Sequence, residues 1–210
     1  MGVAVSIGLV ILVIGLVVGD RLTSRTGDTV AIVGDSITYL NQGSIHQELD
    51  PAYQVQIAAR SGMRTDQMLQ AAEELAATHP KQALINLGTN DVEQDTSIDA
   101  AIANLKTMVS MFGSADCVHV VTINTHMLNA HGDSPERASE LDAKILELPH
   151  EFKNVDLVRW DQTITENVAD HPPAGNLTMD TVLPNADGAR ELVKDYRAAF
   201  DGCKRPWPFS

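Results

Sequence analysis

Short apolar runs alternate with longer segments of helical periodicity, and this alternation restricts the fold more than any other feature of the chain. The apolar runs, each about the length of a buried strand, lie at residues 30–34, 53–58, 83–87, 118–123 and 155–158. Between and after them, apolar residues recur at helical spacing within residues 68–76, 98–112, 134–148 and 189–200. Buried strands that alternate with helices form a parallel sheet covered on both faces. The sequence therefore predicts an α/β fold, a three-layer α/β/α sandwich with a five-stranded parallel sheet.

The amino terminus differs from this pattern, because residues 2–19 contain no charged side chain. As a helix this segment would span about 27 Å, close to the hydrocarbon thickness of a bilayer. We predict that residues 1–19 form a single-pass transmembrane anchor, with a cleaved signal segment as the alternative. Residues 20–28 are then a linker. Arg21 and Arg25 follow the apolar segment, which by the positive-inside tendency favours a cytoplasmic domain.

Charge and cysteine content exclude several classes of function. Among the 210 residues, 28 acidic side chains outnumber 15 basic ones, and the resulting net charge of -13 disfavours a nucleic-acid partner. Only two cysteines occur, Cys117 and Cys203, so the sequence predicts no metal cluster and no cofactor held by cysteines. The two thiols form one disulfide if the domain is exported, or remain two idle thiols.

The residues that follow three of the predicted strands form the candidate site. Ser36 follows the first strand in Gly34-Asp35-Ser36, where open α/β sheets place their chemistry, so it is the candidate nucleophile. Gly62 follows the second strand, and Asn90 follows the third. The backbone N–H groups of Ser36 and Gly62 and the side-chain amide of Asn90 would together form a three-donor oxyanion hole.

These segments resemble the SGNH hydrolases, also called the GDSL esterase/lipase family. Gly34-Asp35-Ser36 resembles the nucleophile block of that family, Gly62 its glycine block, and Gly88-Thr89-Asn90-Asp91 its Gly-x-Asn-Asp block. Its last block, Asp-x-x-His-Pro-Asn, is similar to residues 180–185, where Asp180 would be the acid of the triad. The resemblance covers residues 29 to 200 and implies the flavodoxin-like SGNH hydrolase fold with sheet order 2-1-3-4-5.

One position departs from the family pattern, because Leu183 stands where the family has its catalytic histidine. A serine hydroxyl is a poor nucleophile without a base, and removing the histidine from a serine triad costs about 10⁶ in turnover. His126 is the best substitute base, because it lies in the loop that leaves the fourth predicted strand; His131 and His171 are the other candidates.

The sequence and the resemblance together predict what residues 29–202 do, with residues 203–210 as a tail. We expect an SGNH-type enzyme that hydrolyses or transfers the acyl group of a small-molecule or glycan ester through an acyl-Ser36 intermediate, impaired by the missing histidine. The alternative is a catalytically inactive binding or scaffold domain tethered to the membrane. The resemblance implies an extracytoplasmic domain, against the arginine pattern. We expect membrane contact through residues 2–19 and predict no protein partner.

Overall fold

The computed structural model describes residues 27–128, 134–173 and 175–203. Its five strands are parallel and form one sheet. They are β1 (Thr29–Gly34), β2 (Gln54–Ala59), β3 (Gln82–Asn86), β4 (Cys117–Val121) and β5 (Val155–Val158). The order across the sheet is β2-β1-β3-β4-β5, which confirms both the predicted sheet and its predicted order.

Helices connect these strands and cover the sheet. In chain order they are α1 (Ser36–Leu40), α2 (Gln42–Leu49), α3 (Leu69–Ala76), α4 (Thr89–Glu93), α5 (Ile98–Met111), α6 (Ser134–Leu146), α7 (Leu148–Glu151), α8 (Trp160–Asp170) and α9 (Ala186–Gly202). A short 3-10 helix, Asp66–Met68, precedes α3. The sequence pattern predicts α3, α5, α6 and α9. It misses α1 and α4, which have five residues each, and α8, which is mostly polar.

The two faces of the sheet pack against different helices. Along β1, Ala31 and Val33 belong to a core cluster with α3, α5, α6 and α7. Val30 and Ile32 belong to a second cluster with α1, α2, α8 and α9. All four side chains are fully buried because alternate residues of a strand point to opposite faces, and helices cover both. This packing makes the sandwich three layers deep and leaves the strand ends for the site.

The predicted membrane segment, residues 2–19, lies outside the described residues. Within the described ranges, no helix has both the length and the apolar character needed to cross a bilayer. The described part of the linker is hydrogen-bonded to the edge strand: the N–H of Gln54 donates to the carbonyl of Asp28 at 2.9 Å. Of the predicted tail, only Cys203 is described.

A disulfide joins Cys117, the first residue of β4, to Cys203, which follows the last turn of α9. This settles the alternative that the sequence left open between a bridge and two idle thiols. The bond links residues 86 positions apart, so it restricts a long stretch of the unfolded chain. Helix α9 is thereby attached to β4, the neighbour of the edge strand β5.

We predict that the double variant Cys117→Ser/Cys203→Ser unfolds more easily by about 2–4 kcal/mol, because the unfolded chain regains the entropy of the open loop. Urea unfolding of both proteins measures this difference. Addition of a reductant should lower the stability of the wild-type protein towards that of the variant and leave the variant unchanged. Equal stability of the oxidised wild type and the variant would contradict the prediction.

Candidate active site

The turn from β1 into α1 places Ser36 at the carboxyl edge of the sheet. Gly34 is required there, because a Cβ at this position would lie 2.1 Å from the hydroxyl oxygen of Thr38. Asp35 caps α1, since its Oδ1 accepts a hydrogen bond from the backbone N–H of Ile37 at 2.9 Å. Ser36 is the first residue of the helix and is half-buried.

A hydrogen bond between side chains joins the loops that follow β1 and β3. The side-chain amide of Asn90 donates from Nδ2 to Oδ2 of Asp35 at 3.1 Å. A backbone hydrogen bond also joins these two segments, because the N–H of Asp35 donates to the carbonyl of Asn86, the last residue of β3. Gly88 makes the turn into α4 with φ of +118°, which a residue with a Cβ rarely adopts. The structure therefore places the Asn90 amide next to the Ser36 turn, where it donates to Asp35.

The loop that follows β2 is attached to the same region by side chains of α4. The carboxylate of Asp91 accepts hydrogen bonds from the backbone N–H of Thr65 at 2.9 Å and from its hydroxyl at 2.8 Å. Gln94 donates from Nε2 to the carbonyl of Gly62 at 2.8 Å. Gly62 has a φ of +75° and no atom close to where a Cβ would be, so its backbone is accessible. These bonds hold the Gly62 turn against the helix that carries Asn90.

The three segments that carry Ser36, Gly62 and Asn90 thus follow the neighbouring strands β1, β2 and β3 and are joined by hydrogen bonds. The hydroxyl of Ser36 forms no hydrogen bond with any described residue, so no base is in place for it. A substrate carbonyl at Ser36 would lie near hydrogen-bond donors. Within the described ranges, the serine hydroxyl has no base that would accept its proton.

Asp180 lies in a tight turn before α9, where its carboxylate binds backbone. Its Oδ1 accepts hydrogen bonds from the N–H of Val182 at 3.0 Å and of Leu183 at 2.7 Å. Thr181, within the turn, has a φ of +68°, and its carbonyl accepts a bond of 2.7 Å from the side-chain amide of Asn124. Asn124 lies in the loop that leaves β4. The turn is therefore attached to the same edge of the sheet as the other loops.

Leu183 packs against the core cluster formed by α1, α2, α8 and α9. It also lines a groove of about 510 Å³ between this turn and the first two helices. Leu40, at the end of the helix that Ser36 begins, lines the same groove. The position at which an imidazole was expected is thus part of an apolar surface.

The predicted substitute base is hydrogen-bonded to a different element. His126 is exposed, and its Nε2 lies 3.2 Å from the hydroxyl oxygen of Thr165 on α8. No contact joins His126 to Ser36 in the described part of the structure. His171 is an exposed residue at the end of α8, and His131 lies outside the described residues. The structure therefore attaches the Asn90 side chain to Asp35, next to Ser36, and the Gly62 loop to the helix of Asn90, but hydrogen-bonds no described histidine to Ser36.

Burial changes the acidity of two carboxyl groups in this region. Asp35 is fully buried, and this desolvation raises its pKa from 3.8 to about 7, although the bonds from Ile37 and Asn90 oppose the shift. The pKa of Glu93, on α4, is raised first by desolvation and then by the nearby charge of Asp180. The charge on Asp35 therefore depends on pH near neutrality.

Sequence reasoning missed the residues that hold the loops in place. Asp91, Gln94 and Asn124 each bond to a loop that carries a predicted site residue. A signal exists for two of them: Asp91 directly follows Asn90, and Asn124 follows a predicted strand at the same sheet edge. Gln94 has no such signal, because an exposed glutamine on a helix is common.

Comparison with known families gives a match over most of the chain. The sequence profile of the GDSL-like Lipase/Acylhydrolase family matches residues 17–191. No curated protein is similar enough in sequence to match.

Solved structures with the same fold include proteins described as a lipase, an esterase and an O-acetyltransferase. A GDSL-like lipase from Bacteroides thetaiotaomicron has a TM-score of 0.72 at 18% identity, over 90% of this chain and 97% of the other. The acetylxylan esterase Axe2 from Geobacillus stearothermophilus has a TM-score of 0.67 at 18% identity, over 82% and 94%. The carboxyl-terminal catalytic domain of peptidoglycan O-acetyltransferase A from Streptococcus pneumoniae has a TM-score of 0.67 at 16% identity, over 86% and 97%. At these identities the likeness shows the fold alone.

We predict that Asp35→Asn removes part of the pH dependence of folding. A carboxyl whose folded pKa is raised from 3.8 to about 7 contributes stability below about pH 4 that is lost as the pH rises through 7. Asn keeps the helix cap and stays neutral, so the unfolding free energy of the variant relative to wild type should rise between pH 4 and pH 8 by about 4 kcal/mol. Urea unfolding at several pH values measures this change.

The matched control is Asp99→Asn, which removes an exposed carboxylate of the first turn of α5. Its stability difference from wild type should stay nearly constant over the same pH range. A constant difference for Asp35→Asn as well would contradict the assignment of a buried, protonating carboxyl.

Proposed function

Because the chain belongs to the GDSL-like lipase/acylhydrolase family, we propose that residues 29–202 hydrolyse or transfer the acyl group of a small or carbohydrate-linked ester through Ser36. The names of two structural neighbours support this substrate class, since one is an acetylxylan esterase and the other a peptidoglycan O-acetyltransferase. The observation that carries the proposal is the 3.1 Å bond from Asn90 to Asp35, because it holds a side-chain amide beside the turn of Ser36.

The proposed reaction has two steps. The Ser36 oxygen attacks the ester carbonyl, the bond from carbonyl carbon to alcohol oxygen breaks, and the alcohol leaves with a proton. Water, or the hydroxyl of an acceptor, then attacks the acyl-Ser36 ester and restores the serine. In both steps the negative carbonyl oxygen would accept hydrogen bonds from the N–H groups of Ser36 and Gly62 and from Nδ2 of Asn90.

The missing element of this mechanism is the base that accepts the Ser36 proton. We propose that Leu183 occupies the place of the family's catalytic histidine and that turnover is slow as a result. Asp180 would be the surviving acid of the triad, here bonded to the backbone of its own turn. Loss of an imidazole base corresponds to about 8 kcal/mol of barrier, since it costs about 10⁶ in rate.

A second candidate function is a binding domain that retains the ester site without turnover. The apolar packing of Leu183 favours it, and so does the Ser36 hydroxyl, which has no hydrogen-bond partner among the described residues. The retained donor arrangement at Gly62 and Asn90 favours the enzyme. The two functions differ in one measurable property, the reactivity of the Ser36 hydroxyl towards an electrophile.

We further propose that residues 2–19 anchor the domain in a membrane and that the domain faces an oxidising compartment. The disulfide between Cys117 and Cys203 supports the second part, since such bonds persist outside the cytoplasm. We expect the full chain to stay in the membrane fraction after carbonate washing and a chain that starts at Thr29 to be released. Recovery of the full chain in the soluble fraction would contradict the anchor.

We predict that Leu183→His raises hydrolysis of a short-chain nitrophenyl ester by at least a hundredfold. The new imidazole would follow the turn held by Asp180, and the oxyanion donors are already present, so one group limits the rate. Leu183→Gln is the matched control, because it is polar and of similar size but is no base, and it should stay at the wild-type rate. Equal rates for the His and Gln variants would argue for the binding domain.

We predict that the purified domain reacts with a fluorophosphonate at Ser36 and that Ser36→Ala abolishes this labelling. If His126 is the base, His126→Ala should abolish labelling as fully, because a base must come within about 3.2 Å of the hydroxyl or act through one water. The controls are His46→Ala and His79→Ala, which alter helix α2 and the loop before β3. Absence of labelling in wild type would reject the esterase, and labelling that survives His126→Ala would reject His126.

A further inference from the structure

Exposed hydrophobic side chains collect around the candidate site. In the described ranges, the large hydrophobic side chains that remain exposed are Tyr39 (49%), Leu40 (57%), Leu128 (58%) and Met179 (65%). Tyr39 and Leu40 end the helix that Ser36 begins, Leu128 lies in the loop after β4, and Met179 precedes Asp180. Single exposed hydrophobic residues need no explanation, but a group of them at one edge of a sheet indicates a binding surface.

Two of these side chains line the groove of about 510 Å³ described above. The apolar residues that line it are Leu40, Met179, Leu183, Pro184, Ala186 and Ala189. The polar residues that line it are Asn41, Ser44, Gln47, Asn185 and Arg190. Leu40 is the last residue of the helix that Ser36 begins, and Met179 directly precedes Asp180, so the groove shares two segments with the candidate site.

Most polar groups along the groove already have partners within the protein. Asn41 donates to the carbonyl of Ile37 at 2.7 Å. Asn185 caps α9 and donates to the carbonyl of Asn176. The guanidinium of Arg190 is paired with Asp187. A ligand in this groove would therefore find few free hydrogen-bonding groups and no unpaired charge, which suits an uncharged hydrocarbon chain.

We propose that this groove binds the acyl chain of the ester, so that the substrate carries a medium-length aliphatic acyl group rather than an acetyl group. The inference rests on the proposed function of Ser36 and specifies its substrate class. Leu183 has a role in it, because the side chain at the position of the family's histidine is one of the apolar residues that line the groove.

The apolar amino-terminal segment is a less suitable occupant. Gly27 precedes β1, whereas the groove lies beyond the opposite end of that strand. A strand of six residues spans about 20 Å, so the segment would have to cross the whole sheet to reach the groove. An acyl chain attached to Ser36 begins on the helix whose last residue, Leu40, lines the groove.

The test compares the rates at which ethyl and octyl fluorophosphonates label the domain. Each buried methylene should improve the rate about fourfold, so burial of two or three methylenes gives at least a tenfold preference for octyl. Ser44→Trp, on the exposed face of α2, should fill the groove and bring the ratio of the two rates close to one. Ser139→Trp, an exposed serine on α6 in the opposite layer, is the matched control and should keep both rates.

A second measurement uses Ser36→Ala, so that it does not depend on a reactive serine. A fluorescent dodecanoyl amide should bind this variant saturably, and adding Ser44→Trp should weaken that binding at least tenfold. Labelling without chain-length preference would overturn the acyl groove and leave the esterase intact. Binding without labelling would support the groove and overturn the esterase. If Ser44→Trp changes the oligomeric state but leaves the ratio of octyl to ethyl labelling rates as in wild type, the groove is instead a contact between copies of the chain.

Discussion

The candidate site depends on one buried carboxyl group, that of Asp35. It lies where β1 ends, and its two oxygens accept hydrogen bonds from two directions, the backbone of Ile37 and the side chain of Asn90. The first bond starts the helix on which Ser36 lies, and the second attaches the loop that follows β3. Because the carboxyl is fully buried, neither bond is replaced by water when it breaks. The relative position of Ser36 and Asn90 is therefore part of the folded core and does not depend on a flexible surface contact.

The second buried carboxylate, that of Asp91, acts in the same way on the loop after β2. It bonds to the N–H and the hydroxyl of Thr65, while Gln94 on the same helix bonds to Gly62. Helix α4 thus presents Asn90 to one loop and Asp91 to another. Desolvation raises the pKa of both aspartates. Keeping either carboxylate charged in the folded protein therefore lowers the free energy of unfolding. A site that retains costly polar groups in its donor loops is more consistent with ligand binding than with packing alone.

The turn of Asp180 explains how the fold accommodates leucine at position 183. The carboxylate is satisfied by two backbone N–H groups of the turn, so it does not need an imidazole as a partner. The side chain of Leu183 is partly buried, because it packs against the cluster formed by α1, α2, α8 and α9. A leucine at position 183 is therefore compatible with the scaffold. It also lines the groove between this turn and the first two helices, which connects the departure from the family pattern to the proposed acyl groove.

The sequence pattern by itself determined the layers and the residues at the strand ends, and the family resemblance of its motifs supplied the strand order. Buried strands leave a strong pattern, because every residue from Val30 to Val33 must be apolar when both faces are covered. It also identified Ser36, Gly62 and Asn90 as candidates, since they follow successive strands and parallel strands end at one edge. Only the tertiary structure decided which partner each side chain bonds to. The contacts of Asn90 with Asp35, of His126 with Thr165 and of Cys117 with Cys203 join residues 55, 39 and 86 positions apart, and no local pattern encodes such pairs. They result from the packing of helices and loops at the sheet edge, where the direction of each side chain is set by neighbours that are distant in sequence.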